Sequence, residues 1–409
     1  MPLVHPTTTT PRARGCTFVS VLLLVYLTCV IAFEGLSFPP TKDETHFWPT
    51  SLLFSREFPP SLEALRSYNE LNTPLPFVVY GALEGLFHGG ITAGRAVNLA
   101  LSFLMVCTIG FAAGAPTSRA FLSTAGLLSF PYFLGAATRL YTDIIASFFV
   151  LWGVVFHVKG RHAASALSFI MAIACRQYAV AFPLAILGGE LLSALRDRAL
   201  VPSGAAWASL AATASLGGWY LFFGGFAPPV ALDVQRLDTG RLFVDHGLYF
   251  LACVGAYFVL VEAVLFRRQF WQEISGAGRL IAVVTALLFL FFPPLQNVNF
   301  AIPAMGFLDV AARWAFNDVL RMTFLSILAA CAAARLSRLD LASRACSRCG
   351  AAGPQLWVRA AARRSPRAGA ARRGLRRRRR FARARCCADR RSASRAHRCP
   401  FRRGAATRV

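Results

Sequence analysis

Two adjacent acidic residues, Asp43 and Glu44, with His46 close behind them, are the first candidates for chemistry in this sequence. A carboxylate can remove the proton from an attacking hydroxyl group, and a histidine or arginine beside it can stabilise a leaving phosphate. The three residues lie just beyond an apolar run, residues 16–36, that is long enough to cross a bilayer. Ionisable groups beside a membrane segment are often functional, so this stretch predicts a site. The alternative is a solvated loop with an aromatic interfacial anchor.

Further polar residues are expected on the same side of the membrane. They are Arg139, Tyr141 and Asp143, followed by Arg176 and Gln177. Burying such groups in structure that flanks a membrane is costly unless each has a partner or a task. A structural pair between Arg139 and Asp143, one helical turn apart, explains part of the set without any function. It leaves the acidic pair of the first loop unexplained.

The elements that must position these residues are membrane helices. Hydrophobic residues make up 56% of the 409 residues, and phenylalanine alone accounts for 35. This composition is typical of a multi-pass membrane protein and excludes an ordinary soluble domain. We expect an all-α bundle of about ten to twelve transmembrane helices in residues 16–335, preceded by a cytosolic segment, residues 1–15. After residues 16–36, the apolar runs lie at 76–88, 96–114, 120–137, 141–158, 163–175, 177–194, 205–225, 247–266, 279–292 and 319–334.

The distribution of charge predicts the orientation of this bundle. Basic residues favour cytosolic loops, and they cluster at 159–162, 196–198 and 267–268. Cytosolic placement of these clusters puts the first loop, residues 37–73, and the segment 139–143 in the lumen. Three apolar runs separate the two lumenal segments, although an even number is required. Pro131 marks the run at 120–137 as the one expected to be broken or re-entrant, and thus not to cross.

Two segments outside the apolar runs carry their own expectations. Within the first loop, residues 59–71 intersperse leucines with charged residues, which predicts a short amphipathic helix lying in the interface. Later in the chain, the loop at 226–246 is predicted to be lumenal. Prolines and asparagines at 293–299 predict irregular lumenal structure before the last helix.

The tail, residues 336–409, differs from the body in composition. From Arg335 to the end there are 24 arginines, no lysine and two acidic residues, which accounts for most of the net charge of +25. Low complexity predicts disorder here, and attraction to anionic lipid headgroups is the functional interpretation. The absence of lysine favours an unselected extension instead. The five cysteines of the tail lack the second CxxC pair of a typical zinc site. Because the basicity is confined to the tail, we do not predict nucleic-acid binding.

Several short stretches, in order along the chain, resemble motifs of the GT-C glycosyltransferases, multi-pass enzymes that use polyprenyl-phosphate sugars. The segment Asp43-Glu44-Thr45-His46-Phe47 resembles the Asp-Glu-x-His-Phe of protein O-mannosyltransferases. Three later stretches resemble the dolichyl-phosphate-glucose α-1,2-glucosyltransferases: Asn72-Thr73-Pro74-Leu75-Pro76-Phe77, Leu140-Tyr141-Thr142-Asp143 and Arg176-Gln177. The matches fall within residues 20–195 and imply a GT-C-type bundle with a catalytic lumenal first loop.

This resemblance implies an inverting, single-displacement transfer of a hexose. The donor would be glucose, or else mannose, on dolichyl or another polyprenyl phosphate, and the acceptor a lipid-linked oligosaccharide or other glycan. Asp43 and Glu44 are then the catalytic pair, with Asp43 as the general base. Glu44 and His46 would orient the acceptor or the base. No cofactor is implied and no metal is required, although the two carboxylates could ligate one.

The later motifs would bind the donor. Arg139 or Arg176 would offset the charge that develops on the departing phosphate, because a planar guanidinium group matches phosphate geometry. Tyr141, Asp143 and Gln177 would help to hold the sugar and its phosphate, and the apolar helices would hold the lipid chain. The implied location is the endoplasmic reticulum membrane, or the inner membrane if the source is bacterial.

Two other classes of function fit parts of the sequence. Many helices and membrane-level prolines also suit a transporter of a lipid or small polar solute. However, transporters place their sites near the midplane, whereas the acidic pair here lies on a loop. The second alternative hypothesis is a scaffold whose arginine-rich tail binds lipid or nucleic acid. Deletion of residues 336–409 separates it from an enzyme, which should remain active without them.

Overall fold

The chain is almost entirely helical where its structure is described. The computed structural model describes residues 10–41, 43–112, 114, 116, 118–198, 202–235, 244–265, 276–293 and 306–337. Within these ranges there is no β-strand, which confirms the all-α fold. Five of the described helices are long and apolar enough to cross a membrane, or six if a bent pair is one span. The chain is therefore a multi-pass membrane protein. Among the described helices, those of the runs at 76–88, 163–175 and 279–292 are shorter, with 13, 14 and 16 residues.

Most helices coincide with the predicted apolar runs. The first part of the bundle contains α1 (Pro11–Ala32), α2 (Glu44–Ser55), α3 (Leu75–Phe87), α4 (Gly90–Gly110), α5 (Ser118–Leu128), α6 (Pro131–Ala137), α7 (Thr142–Val158), α8 (His162–Cys175), α9 (Ala181–Arg196) and α10 (Gly204–Phe223). The second part contains α11 (Pro229–Gln235), α12 (Val244–Val254), α13 (Leu260–Leu265), α14 (Gly276–Phe291), α15 (Phe307–Ala315) and α16 (Asp318–Leu336). A π-helical turn, Gly255–Val259, joins α12 to α13.

Helix α1 begins earlier than predicted. The hydroxyl of Thr10 accepts a hydrogen bond from the backbone N–H of Ala13 at 3.3 Å, and Pro11 occupies the first helical position. A threonine cap and a proline at the first position both favour a helix start. The helix therefore includes the polar residues that the sequence assigned to a cytosolic segment.

Helix α4 runs antiparallel to α1. At one end, a Cβ atom on Gly110 of α4 would lie only 2.3 Å from the ring of Phe18, near the start of α1. At the other end, Arg95 of α4 donates a hydrogen bond to the carbonyl oxygen of Leu36 at 2.8 Å. The end of the bundle where α1 finishes and α4 begins also carries the acidic pair, and we call it the Asp43 end.

Helices α2 and α3, which come between α1 and α4 in the chain, pack side by side and point in the same direction. A Cβ atom on Gly81 of α3 would lie 2.6 Å from the carbonyl oxygen of Ser51, and one on Gly85 would lie 3.2 Å from that of Ser55. Small residues four positions apart allow two helix backbones to approach this closely.

The run at 120–137 is broken at Pro131, as expected, into α5 and α6. Helix α5 starts beside the far end of α1, where the rings of Phe121 and Phe18 are 5.1 Å apart, and the bend after α6 lies against Asn98 of α4. The run at 76–88 forms the short helix α3, which has 13 residues and rises about 20 Å. Which of the three runs does not cross stays a prediction.

The amphipathic helix predicted at 59–71 does not form. Residues 62–66 make a turn, and the chain beyond them is irregular. The side chains of Tyr68 and Glu70 are buried there, and the Tyr68 hydroxyl donates to the carbonyl oxygen of Asn72 at 2.6 Å. Burying neighbouring polar side chains in this way is incompatible with a helix that has one apolar stripe. The helix of the first loop is instead α2.

In the second part of the bundle, α16 packs against α12 and α14. The close approach occurs at Gly255, where a Cβ atom would lie 2.1 Å from the carbonyl oxygen of Leu328. The short helix α15, which the sequence did not predict, carries a buried Asp309 that accepts a hydrogen bond from Arg321 at 2.9 Å. The predictions at 267–268, at 294–299 and for the tail beyond residue 337 lie outside the described residues.

Candidate active site

Glu44 is completely buried at the start of α2. Arg95 of α4, equally buried, donates two parallel hydrogen bonds to it, from Nε to Oε1 at 2.7 Å and from Nη2 to Oε2 at 2.8 Å. The third nitrogen, Nη1, donates to the carbonyl oxygens of Leu36 and Phe38 at 2.8 and 2.7 Å. A bidentate pair of this kind fixes both distance and orientation. It ties the region after α1 to the starts of α2 and α4.

Backbone and hydroxyl groups complete the shell around the Glu44 carboxylate. The backbone N–H of Thr41 donates to it at 2.8 Å, the Thr41 hydroxyl at 2.9 Å and the backbone N–H of Leu140 at 2.7 Å. Burial alone would raise the pKa of Glu44, but the hydrogen bonds from Arg95, Thr41 and Leu140 outweigh it and hold the pKa below its usual value. Both carboxylate oxygens are thus occupied by the protein itself.

The sharp bend between α6 and α7 presents the second group of predicted site residues. The two helices meet at 109°, and the backbone N–H of Leu140 between them donates to Glu44 and not to a helical carbonyl oxygen. The amide nitrogen of Asn98 donates to the carbonyl oxygens of Arg139 and Tyr141, both at 2.8 Å. The hydroxyl of Tyr80 in turn donates to the side-chain oxygen of Asn98 at 2.8 Å. Irregular backbone within a membrane bundle persists where the protein satisfies it in this way.

Asp43 has a different environment from its neighbour Glu44. It occupies the N-cap position of α2 and is only partly buried. The hydroxyl of Tyr141 lies near its carboxylate, and burial together with the negative charge of Asp43 raises the pKa of Tyr141 to about 12. No described arginine or lysine pairs with Asp43. Among the two acids of the motif, Asp43 is therefore the one that a substrate can reach.

A cavity of about 480 Å³ lies in the angle between α6 and α7. Most of its wall is apolar and comes from α6, while Arg139, Tyr141, Asp143 and Ser147 provide the polar groups. Its size and mixed lining are typical of small-molecule sites. Since Tyr141 both lines the cavity and lies near Asp43, the structure brings four of the predicted residues to one place.

Arg139 is held in the cavity wall without a carboxylate partner. Its Nη1 donates to the carbonyl oxygen of Gly135 at 2.8 Å, and its guanidinium carbon lies 5.7 Å from the centre of the Phe38 ring. It forms no ion pair with any described residue. The structural pair expected with Asp143 is absent, because the chain bends between the two residues and Asp143 turns to Arg176 instead.

Arg176 joins the start of α7 to the loop before α3. Its Nη2 donates to Asp143 at 2.6 Å, and its Nη1 donates to the side-chain oxygen of Asn72. The hydroxyl of Tyr178 donates to the second carboxylate oxygen of Asp143. The Nε of Arg176 is buried with no hydrogen-bond partner in the described chain. Two of the three guanidinium nitrogens are thus used to hold protein groups.

The remaining two predicted site residues do not line the cavity. Gln177 donates to the carbonyl oxygens of Leu71 and Phe226 at 2.6 and 3.0 Å, so it fastens two loops together. His46 is exposed on α2, on a different side of the helix from the buried Glu44. We predicted that His46 orients the base or the acceptor, and no contact of His46 in the described structure supports this role.

Glu70 belongs to the same site, although sequence reasoning missed it. It is buried in the loop before α3, near enough to Asp43 and Arg176 to feel both charges. Burial, opposed by the charge of Arg176 and reinforced by that of Asp43, raises the pKa of Glu70 to about 7. No local motif marks this residue, because its burial depends on how the loop folds back onto α8. Among the described residues, no group of three metal-binding side chains is close enough to hold a metal ion.

The fold and this site define the class of protein as a helical multi-pass membrane protein with an ionisable cluster and a cavity at one end of its bundle. No family model matches the chain, and it shows no significant similarity to a curated protein or to a solved structure. Its function must therefore be argued from the site.

Proposed function

We propose that this protein is a membrane-embedded inverting glycosyltransferase of the GT-C type. It would move a hexose, glucose in preference to mannose, from a dolichyl or other polyprenyl phosphate to a lipid-linked oligosaccharide or other glycan. One observation carries the proposal. A partly exposed carboxylate, Asp43, lies near Tyr141, which lines a mainly apolar cavity that also holds an arginine without a described acidic partner, Arg139.

The reaction needs a base and a charged group for the leaving phosphate. Asp43 takes the proton of the acceptor hydroxyl as the hydroxyl oxygen forms a bond to the anomeric carbon. The bond from this carbon to the phosphate oxygen breaks on the opposite face, and the polyprenyl phosphate leaves with the electron pair. Arg139 offsets the negative charge on the leaving group. The configuration at the anomeric carbon is inverted.

The other residues hold these two groups in place. Glu44 fixes the start of α2 through Arg95, so that the neighbouring Asp43 faces Tyr141. Arg176 secures Asp143 at the cavity and leaves Arg139 as the better candidate for the phosphate. The aromatic wall from α6 suits the first isoprene units of a lipid donor. No cofactor takes part in this scheme.

The same scheme places the reaction at a membrane surface. The acidic pair lies at the opposite end of the bundle from the basic turn at 159–162, because α7 runs from the Asp43 end to that turn. With basic loops in the cytosol, the site faces the lumen of the endoplasmic reticulum, or the periplasm of a bacterium. Membrane lipids and the donor lipid are then its surroundings and its substrate.

The decisive experiment is sugar transfer by purified protein in lipid nanodiscs, with polyprenyl-phosphate glucose and mannose as separate donors. Wild type and Asp43→Asn are compared with lipid-linked oligosaccharide and with hydroxyl-bearing peptide as acceptors. We expect glucose transfer by the wild type and a loss of about 100-fold or more in the variant. Glu63→Gln is the matched control, because Glu63 is an exposed carboxylate in the same loop.

Each outcome of this assay decides between the classes of function. Equal transfer by wild type and Asp43→Asn would remove Asp43 as the base. No transfer with either donor, from protein that remains folded, would favour the transporter. Deletion of residues 338–409 tests the scaffold, since activity that survives the deletion shows that the body of the chain performs the reaction.

A further inference from the structure

Glu70 carries a carboxyl group in a nearly buried position. The residue is 6% exposed, and no hydrogen bond from a described residue to its carboxyl group is observed. A polar group buried in this way costs free energy, and native structures rarely keep one without a reason. A ligand that supplies the missing hydrogen bond would be such a reason.

The loop that carries Glu70 is fastened on both sides, so the side chain cannot simply turn to water. On one side, the Tyr68 hydroxyl donates to the carbonyl oxygen of Asn72 at 2.6 Å. On the other side, Gln177 donates to the carbonyl oxygen of Leu71 at 2.6 Å, and Arg176 binds the side chain of Asn72. These contacts fix the backbone immediately after Glu70.

Two charged groups face Glu70, and they come from different elements. Asp43 approaches from the start of α2, and Arg176 approaches from the end of α8. Burial has the largest effect and raises the pKa of Glu70 to about 7, with Arg176 opposing and Asp43 adding to the change. A carboxyl group that keeps its proton can both donate and accept a hydrogen bond. That is the pattern needed to bind a sugar hydroxyl.

Asp43 and Glu70 come from the first loop and are not among the residues that line the cavity between α6 and α7, whereas Tyr141 lines this cavity and lies near Asp43. The cavity, with its apolar wall and Arg139, suits the lipid phosphate of the donor. The two carboxyl groups of the loop provide polar contacts that suit an acceptor.

We propose that Glu70 is a positioning residue that binds one hydroxyl group of the acceptor while Asp43 deprotonates the neighbouring hydroxyl group. The acceptor is accordingly a carbohydrate with adjacent hydroxyl groups and not a serine or threonine side chain. This inference rests on the glycosyltransferase function proposed above and names the acceptor class of that same site. Glu70 keeps its own proton throughout, and the proton that is transferred goes to Asp43.

The kinetic test compares Glu70→Gln with Glu70→Leu. Glutamine preserves a donor and an acceptor in nearly the same shape, whereas leucine removes both. For a glycan acceptor, we expect a KM near that of the wild type for Glu70→Gln and a KM about tenfold higher for Glu70→Leu, with kcat little changed. The KM of the wild type should rise above about pH 7, and that of Glu70→Gln should not. A lowered kcat with unchanged KM, or equal use of a hydroxyl-bearing peptide, would contradict the proposal.

A second test does not depend on transfer. A hydrophobic carbodiimide reacts with protonated carboxyl groups in apolar surroundings, so it should modify Glu70 in nanodiscs at about pH 6 far more than at about pH 8. Octyl glucoside should slow this modification, and octanol should not. Modification that octanol and octyl glucoside slow equally, or that does not reach Glu70, would overturn the proposal. Because this readout needs no turnover, it separates failure at Glu70 from failure of the proposed function.

Discussion

Two arginine–carboxylate pairs stand at the Asp43 end of the bundle, and they differ in almost every physical respect. The pair of Glu44 and Arg95 has no exposed side-chain surface, and each of its charged nitrogens and oxygens has a protein partner. The pair of Asp143 and Arg176 is 36% and 18% exposed, and Asp143 lines a cavity. The two pairs are therefore suited to different tasks.

The difference shows how two adjacent acids of one short motif can have different roles. A fully buried pair cannot exchange its partners for a ligand without exposing a charge to an apolar surrounding. A partly exposed pair can, because water and substrate compete for it at small cost. Asp43 stands next to the first kind of pair in the sequence, yet it belongs functionally with the second kind. The buried pair supports the site, and the exposed groups are the ones to which we assign its proposed chemistry.

The largest effect is expected from Glu44→Gln. This change leaves the buried guanidinium group of Arg95 without a counter-charge, which costs about 3–5 kcal/mol of stability. Thermal unfolding of the purified variant measures the loss. The matched control is Asp43→Asn at the adjacent position, which should unfold at nearly the wild-type temperature. Equal stability of both variants would show that the buried acid Glu44 contributes no more to stability than the partly exposed acid Asp43.

A smaller effect is expected from Arg139→Leu, and it should appear in binding. The side chain pairs with no described acid, so its removal leaves no carboxylate unpaired and has little influence on unfolding. Loss of a charged hydrogen bond to the donor phosphate costs about 2 kcal/mol, or roughly 30-fold in KM for the donor. Arg139→Lys should recover part of this loss. A variant with an unchanged donor KM would assign the phosphate to another residue.

The stability of the protein should also depend on pH through Glu70. A carboxyl group has an ordinary pKa of about 4.3, and in the folded protein that of Glu70 is raised to about 7. The folded state therefore binds this proton more tightly, so stability falls as pH rises from about 4 to about 7. Glu70→Gln should remove this decline and raise the unfolding temperature, relative to wild type, at about pH 8. If the two proteins differ in unfolding temperature by the same amount at about pH 5 as at about pH 8, the pKa of Glu70 is not raised.

The smallest effect is expected from Asp143→Asn. Because the pair with Arg176 is partly exposed, its loss should cost no more than about 1 kcal/mol of stability. A double-mutant cycle with Arg176→Gln measures the coupling directly. A coupling energy as large as that of Glu44 with Arg95 would show that the two pairs are alike after all.

The sequence predicted most helices well, since an apolar run long enough for a helix leaves few alternatives in a membrane. The run at 141–158 became α7, Thr142–Val158, and Pro131 marked a real break between α5 and α6. The sequence also selected the acidic pair together with Arg139, Tyr141 and Asp143, because ionisable residues are rare in such a chain. The sequence could not show that Glu44 is buried while Asp43 is partly exposed, because the two acidic residues are adjacent in the same stretch.

By itself, the sequence determined that this is an all-α membrane protein and which polar residues deserve a partner. The tertiary structure decided which partner each one has. Arg95, just before an apolar run and without a motif, neutralises Glu44, and Asp143 pairs with Arg176 and not with Arg139. The physical reason is that apolar burial is a property of each segment, whereas an ion pair joins residues that are distant along the chain. Such pairs exist only once the helices have packed.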